Sequence, residues 1–201
     1  MPMNYEHDIF ISYRHDCPTT PWMMRVFLPE LKNRLIPSRP NGISIFDDQQ
    51  VRVGSTWRQL LHRKVASSRL LVPMLTPYYF GSPWCRRELA LIMEREEGVG
   101  VRSLQKSESG LVVPIRLWDG DKFPERLTNT IQIKDFREYT YIKRGAKKWY
   151  QFENAIDNLA RAIDEILDTC VPDFDDAWLQ LTGDVIEPQL RIPLPRFSAY
   201  R

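Results

Sequence analysis

Short runs of apolar, mostly β-branched residues recur along the chain and alternate with longer segments of helical periodicity. This alternation predicts parallel strands joined by crossover helices, and therefore an α/β fold. Pro73 and Pro114 fall inside two of the runs and cannot donate a ladder hydrogen bond, so those two strands should be irregular. The five predicted strands are HDIFISY (7–13), ISIFDD (43–48), RLLVPMLT (69–76), LVVPIRLW (111–118) and IQIKDF (131–136).

Helical spacing of apolar residues occupies the segments between these strands. Between the first two strands, Phe27, Leu28, Leu31 and Leu35 share one helical face, and Pro29 predicts that the helix kinks or restarts there. Residues 151–167 carry the strongest amphipathic pattern in the chain, and this helix should close the core of the sheet.

Two further helices are predicted around the third strand. Ser55, directly after Gly54, is the predicted N-cap of the first, and the apolar face of that helix comprises Trp57, Leu60, Leu61 and Val65. The next helix begins near Pro83. It places Cys85, Leu89, Ile92 and Met93 on one face, and Trp84, Glu88 and Leu91 on another.

Length and composition predict a single domain with an extension. Of 201 residues, 43% are hydrophobic and 27% charged, which is typical of a globular protein. The helical and strand patterns end near residue 168, so we expect one domain over 1–168 and a tail or linker over 169–201. No apolar run approaches the roughly 18 residues that span a bilayer, and the N-terminus does not resemble a secretion signal. The expected location is cytoplasmic, with no membrane partner.

The charged residues, cysteines and histidines show which kinds of partner and site to expect. The net charge is +2, from 28 basic and 26 acidic residues without long single-sign blocks, so no nucleic-acid partner is predicted. Cys17, Cys85 and Cys170 form no C-x-x-C pair and are expected to be free thiols. The three histidines lack ligand-like spacing, and no metal site is predicted.

Three loops should converge at one edge of the predicted sheet. In an open α/β sheet, ligands bind beyond the carboxyl ends of the strands. The loops at 12–18, 47–54 and 76–85 follow the first three strands, and the last of them leads directly into the helix that carries Glu88. We therefore expect their side chains to face a common cleft.

Three motifs in these regions together resemble one known family. HDIFISYRHD, IFDDQQVRVG and SPWCRREL are similar to the three signature blocks of the Toll/interleukin-1 receptor (TIR) domain family, and most closely to its NAD-cleaving members. The resemblance covers roughly residues 5 to 168. It implies a flavodoxin-like five-stranded parallel sheet flanked by helices. It also implies that the second block is a strand followed by the so-called BB loop, which ends in glycine. Glu88, in a W-C-x-x-E arrangement, would be the catalytic residue.

A single glutamate is chemically sufficient for the reaction that the resemblance implies. Nicotinamide leaves NAD⁺ as a neutral molecule from a cationic pyridinium, so no strong general acid is needed. Positive charge develops on the ribose instead, and a carboxylate beside that ring can stabilise an oxocarbenium-like state. NAD⁺ is then a substrate, and no cofactor is expected.

Other matching positions carry the binding and assembly roles that the resemblance implies. Substrate contacts are expected from Phe10, Tyr13, Arg14, Asp47 and Trp84. Trp84 would pack beneath the site or line it directly, and the Arg14 guanidinium would contact a phosphate or stack on a base. Contacts between subunits are expected from Asp48, Arg52, Gly54 and Trp57, giving a homo-oligomer. The BB loop lacks the proline of the animal signalling version, and Arg52 stands where some NAD-cleaving relatives have an acidic residue.

Two functions of different classes follow from this resemblance. The first is an NAD⁺ glycohydrolase or ADP-ribosyl cyclase that yields ADP-ribose or a cyclic isomer. By family analogy it would serve bacterial antiphage immunity beside a separate sensor or effector protein. The alternative is a noncatalytic scaffold that signals through TIR–TIR assembly. The presence of Glu88 within WCRREL favours the enzyme.

Overall fold

The computed structural model describes residues 4–39, 42–47, 57–101, 109–119 and 123–192, with Trp57 and Arg58 described by their backbone alone. The assembly residues predicted at Asp48, Arg52 and Gly54, and the predicted N-cap Ser55, lie outside the described residues. The side chain of Trp57 does as well.

Among the described residues, five parallel strands form one sheet in the order β2-β1-β3-β4-β5. This is the predicted flavodoxin-like sheet. Its two central strands are buried on both faces, which explains why they read as continuous apolar runs rather than as alternating patterns. The strands are β1 (His7–Ser12), β2 (Ile45–Phe46), β3 (Ser68–Leu75), β4 (Ile115–Arg116) and β5 (Lys134–Asp135).

The two prolines behave differently in the sheet. Pro73 lies within β3 opposite Ser12 of β1, and the strand continues through it. Pro114 interrupts the fourth strand, where Val112 forms only an isolated bridge with Leu71 before the regular ladder resumes at Ile115. Because Pro114 has no N–H, the ladder loses one donor there, and β4 is much shorter than the predicted 111–118.

The helices before β2 and after β5 cover one face of the sheet. They are α1 (Thr20–Trp22), a π-helical turn (Met23–Phe27), α2 (Leu28–Leu35) and α7 (Trp149–Thr169), and α2 packs against α7. The restart predicted at Pro29 takes the form of the π-helical turn, in which the Leu28 N–H donates to the Met23 carbonyl. Pro29 then occupies the first turn of α2, where its missing N–H costs least.

The opposite face carries α3 (Trp57–Ala66), α4 (Pro77–Gly81) and α5 (Pro83–Val99), with α3 packed against α5. In the sheet, β2 lies on one side of β1 and β3 on the other, so the connection from β1 to β2 and the connection from β2 to β3 run in opposite directions across the sheet. Right-handed crossovers therefore place the two connecting layers on opposite faces. A short helix, α6 (Glu125–Thr128), lies between β4 and β5. No described helix is both long enough and apolar enough to cross a membrane.

Residues 171–192, which we call the C-terminal strap, run across α3 and α5 and contain two short 3₁₀ turns. Its first anchor is Trp178, whose ring lies 5.0 Å from the guanidinium carbon of the buried Arg95. Burial lowers the pKa of Arg95 to about 10. The second anchor is Glu187, which pairs with Arg86. The domain boundary predicted after residue 168 stays a prediction, although the strap packs on the sheet's own helices.

Candidate active site

The carboxylate of Glu88 lies at the point where the chain changes direction within the sheet. β1 has β2 on one side and β3 on the other, and such switch points form crevices at the carboxyl ends of parallel strands. Ser12 is the last residue of β1, and its hydroxyl donates to Glu88 Oε2 over 2.5 Å. The contact places Glu88 beside the end of the central strand.

Local sequence explains how α5 presents this glutamate. Ser82 caps the helix, because its hydroxyl accepts from the Cys85 N–H, and Pro83 occupies the first turn. Trp84 and Glu88 are four residues apart and therefore lie on the same side of the helix. The predicted start of this helix and the two predicted faces are confirmed, with Cys85 buried and Glu88 half-buried.

A buried tyrosine supports the same region from the turn before α5. The Tyr79 hydroxyl donates to the Cys85 carbonyl over 2.9 Å and lies 2.8 Å from Ser12 Oγ. Thr76 caps the short helix α4 by accepting from the Tyr79 N–H, which fixes the tyrosine's backbone. Burial raises the pKa of Tyr79 well above its usual value, and the nearby Cys85 and Glu88 raise it further.

Glu88 lines a cleft of about 310 Å³ between α3 and α5. Both helices contribute apolar and polar side chains to its lining, an arrangement typical of a small-molecule site. His62 donates to the Leu181 carbonyl of the C-terminal strap over 2.6 Å, so the strap contacts a residue of the cleft. The lining residues are Gln59, Leu61, His62, Val65, Trp84, Arg87, Glu88 and Leu91.

The structure brings together some of the predicted site residues and separates others. Trp84 lies in the cleft with Glu88, and the Arg87 guanidinium carbon is 5.7 Å from the centre of its ring. Phe10, by contrast, is buried in the core, where its ring stacks on Phe46. Tyr13 is also buried, and its backbone carbonyl accepts from the Cys85 thiol.

Two predicted binding residues lie at the ends of neighbouring strands. Arg14 is exposed just after β1 and pairs with Asp16 over 3.3 Å. Asp47 directly follows β2, is buried, and lies 4.0 Å from Lys32. Their roles in substrate binding stay predictions.

Sequence reasoning did not identify Ser12, Tyr79, His62 or Arg87 as site residues. Ser12 stands inside the motif HDIFISYRHD, and Tyr79 lies in the loop at 76–85 that was predicted to face the cleft, so local patterns already pointed to both segments. His62 and Arg87 carry no local signal, because only the packing of α3 on α5 brings them together. Within the part of the chain that the structure describes, no group of three or more histidine, cysteine, aspartate or glutamate side chains is arranged to hold a metal ion.

Comparison with known proteins identifies partial relatives among plant proteins named for disease resistance. Disease resistance protein RML1B of Arabidopsis thaliana is 28% identical over 97 residues, covering 48% of this chain and 9% of that protein. Disease resistance protein RML1A of the same plant is 35% identical over 60 residues, covering 30% of this chain and 6% of that protein. The chain thus spans only a small part of the length of these relatives.

Two solved structures are also similar. The TIR domain of the Toll-related receptor TRR-2 from Hydra magnipapillata aligns with a TM-score of 0.49 and 17% identity, covering 79% of this chain and 98% of that one. The TIR domains of the activated Roq1 resistosome, which directly recognizes the pathogen effector XopQ, align with a TM-score of 0.40 and 23% identity. That alignment covers 78% of this chain and 84% of the other.

A family model described as the TIR domain matches residues 9–150. This range is well over half of the chain. It runs from within β1 to the start of α7 and includes Glu88 and every residue that lines its cleft. The chain therefore belongs to the TIR domain family.

Proposed function

We propose that this protein cleaves the bond between nicotinamide and ribose in NAD⁺, with Glu88 as its catalytic residue. One observation carries the proposal: the Glu88 carboxylate is held by Ser12 at the switch point of the sheet and lines a cleft between two helices. A half-buried carboxylate in a partly apolar cleft is more effective at stabilising positive charge than one in water.

The reaction breaks the carbon–nitrogen glycosidic bond, and its electron pair leaves with the nitrogen. The pyridinium ring becomes neutral nicotinamide, while the ribose carbon gains positive charge. Glu88 lowers the energy of this oxocarbenium-like state by its negative charge and by accepting hydrogen bonds from the ribose hydroxyls. The cleft supplies an aromatic surface, Trp84, on which a ring of the substrate can pack.

The nucleophile that captures the ribose determines the product. Attack by water yields ADP-ribose and releases one proton. Attack by a nitrogen of the substrate's own adenine yields a cyclic ADP-ribose isomer. The cleft is built from α3 and α5, and the predicted BB loop lies next to α3 in the sequence. We therefore expect that loop, and its contacts with a neighbouring copy, to influence how much water reaches the ribose.

The test is nicotinamide release from NAD⁺ by concentrated protein in the presence of a crowding agent, with products separated by chromatography. Wild type should release nicotinamide, and Glu88→Gln should lose at least about a hundredfold in rate. Glu97→Gln is the matched control, since it removes the same charge from an exposed position of the same helix. Release by wild type and by Glu97→Gln, but not by Glu88→Gln, is the expected result.

The opposite result supports the second function, a scaffold that assembles through TIR–TIR contacts. If wild type and Glu88→Gln are equally inert although both form oligomers, then the enzymatic proposal is wrong. Assembly by itself does not separate the two functions, because both predict a homo-oligomer.

The biological role that we propose is immune defence, with NAD⁺ consumption or a nucleotide product as the output. Partial similarity to two proteins named for disease resistance supports a defence role in this broad sense. The antiphage setting, a separate sensor protein and a cytoplasmic location remain predictions from the sequence. A host culture that survives infection with wild-type protein and not with Glu88→Gln would support the antiphage role.

A further inference from the structure

Three side chains and one backbone carbonyl form a continuous hydrogen-bonded chain that ends on Glu88. Ser12 Oγ lies 2.5 Å from Glu88 Oε2 and 2.8 Å from the Tyr79 hydroxyl, which in turn lies 2.9 Å from the Cys85 carbonyl oxygen. Ser12 and Tyr79 are 1% and 0% exposed, so bulk water does not compete for these contacts. The chain thus connects the carboxylate to the first turn of its own helix through β1 and α4.

The available protons restrict how this chain can be arranged. A carboxylate and a carbonyl oxygen can only accept, whereas each hydroxyl carries one proton. When Glu88 is ionised, the Ser12 proton is therefore committed to Glu88, and the Tyr79 proton is directed to Cys85 or to Ser12. When Glu88 is protonated, the order can reverse, so that Glu88 donates to Ser12, Ser12 to Tyr79, and Tyr79 to Cys85. The same four groups accommodate both protonation states without movement of heavy atoms.

Tyr79 is the member of this hydrogen-bonded chain that keeps its proton. Burial raises the pKa of its phenol well above the usual value, so Tyr79 is a donor throughout the pH range in which proteins are stable. Thr76 holds the backbone of Tyr79 from one side, and the carbonyl of Cys85 holds its hydroxyl from the other. Ser12 therefore sits between a hydroxyl that keeps its proton and a carboxylate whose charge can change.

We propose that Ser12 is a positioning residue for Glu88, holding the carboxylate at the cleft and favouring its charged form, and that Tyr79 orients Ser12. This inference rests on the proposed NAD⁺-cleaving function. A hydrogen bond to a charged group is stronger than one to a neutral group, so the Ser12 hydroxyl stabilises the ionised carboxylate more than the acid. The reaction needs that ionised form.

Several other titratable groups lie near Glu88, and their positions differ from that of the Ser12 hydroxyl. His62 of α3 and Arg87 of α5 line the same cleft. Arg87 also pairs with Asp184 of the C-terminal strap over 3.3 Å. Cys85 lies in the first turn of α5, and its thiol donates to the Tyr13 carbonyl. All of these groups are unchanged in a Ser12 variant, so a difference in titration reports on the Ser12 contact.

The first measurement is the titration of the Glu88 carboxyl, followed by carbon-13 NMR on the whole chain and assigned with Glu88→Gln. In Ser12→Ala the midpoint should move to higher pH by about one unit, since one unit corresponds to the difference between a charged and a neutral hydrogen bond. Tyr79→Phe should move it in the same direction by less. Ser68→Ala is the matched control, because it removes a buried serine hydroxyl at the opposite end of the sheet and should leave the midpoint unchanged.

The second measurement is the dependence of NAD⁺ cleavage on pH. Ser12→Ala should lower kcat by about tenfold at neutral pH and move the acidic limb of the kcat profile to higher pH, with a much smaller effect on KM. Ser12→Cys, which preserves the shape with a weaker donor, should lie between wild type and Ser12→Ala. If Ser12→Ala is poorly folded, then Ser12→Cys and Tyr79→Phe carry the comparison.

The two proposals fail in different ways. An unchanged Glu88 titration in folded Ser12→Ala, or an unchanged kcat profile, overturns the role of Ser12 even if wild type cleaves NAD⁺. If wild type releases no nicotinamide, yet Ser12→Ala still moves the Glu88 titration to higher pH, then the proposed function is wrong and the Ser12–Glu88 pairing stands.

Discussion

The guanidinium of Arg86 lies 2.7 Å from a carboxylate oxygen of Glu187, and both side chains are almost completely buried. Arg86 also donates to the Phe80 carbonyl, and Glu187 accepts in addition from Arg191. The pair joins the C-terminal strap to the helix of Glu88, two positions before that residue. The position of this helix therefore depends on a contact made 101 residues later in the chain.

Loss of this pair should destabilise the whole domain. Glu187→Gln leaves the Arg86 charge buried without a carboxylate, and we expect the free energy of unfolding to fall by about 3 kcal/mol. Asp184→Asn is the control, because the Arg87–Asp184 pair is exposed and should contribute less than about 1 kcal/mol. Urea unfolding of the three proteins measures both effects. Equal stabilities for Glu187→Gln and Asp184→Asn would contradict a structural role for the strap.

The same pair should make stability depend on pH. Burial alone would raise the pKa of Glu187, but hydrogen bonds from Arg191 and Arg86 outweigh it, and the pKa lies below the ordinary value of 4.5. The carboxyl is thus more acidic in the folded chain than in the unfolded chain, so its contribution is complete above pH 4.5 and is lost as the pH falls below it. Wild type and Glu187→Gln should differ in unfolding free energy at neutral pH and converge in acid. A difference that persists unchanged in acid would contradict this assignment.

Gly183 should tolerate no side chain. Its φ is +72°, and a Cβ built there would lie 3.0 Å from Ala90 Cβ and 3.1 Å from the Leu91 backbone nitrogen. We expect Gly183→Ala to lower stability by about 3 kcal/mol, because backbone strain adds to a clash against α5. Gly145→Ala is the matched control, since its φ of +81° is similar but nothing lies within 4 Å, and strain alone should cost about 1 kcal/mol. Thermal unfolding should rank wild type first, Gly145→Ala second and Gly183→Ala last.

Trp84 should act mainly in binding, if the cleft takes NAD⁺ as proposed. Trp84→Ala removes an aromatic wall of the cleft, and we expect KM for NAD⁺ to rise by about fivefold to tenfold with a smaller change in kcat. Trp84→Phe keeps a ring and should remain within about twofold of wild type. Steady-state kinetics of both variants test the assignment. A large fall in kcat with unchanged KM would show instead that Trp84 positions α5.

The fold was largely predictable because its elements carry local signals. Parallel strands that are buried on both faces produce continuous apolar runs, and all five predicted runs contain a strand. Pro83 marked the start of α5, because the signals at the start of a helix come from neighbouring residues, here Ser82 and Pro83. The length of β4 was not predictable in detail. Pro114 has no N–H to donate, and only the structure shows that the regular ladder resumes at Ile115.

The site was predictable only in part. The motif containing Trp84 and Glu88 marked the helix face that lines the cleft. Phe10 belongs to an equally visible motif, yet its side chain packs in the core against Phe46. A motif identifies a segment of chain, whereas the direction of each side chain depends on the pleat of the strand and on its neighbours.

The sequence by itself determined the order of strands and helices, the TIR resemblance and the prediction of Glu88 as the catalytic residue, because each depends on residues close together in the chain. Only the tertiary structure decided which groups surround that glutamate. Ser12 is 76 residues away from Glu88, and Glu187 is 101 residues away from Arg86. Contacts over such separations form when packing of the whole core brings distant segments together, and no local periodicity records them. The partners of Glu88 are therefore properties of the fold.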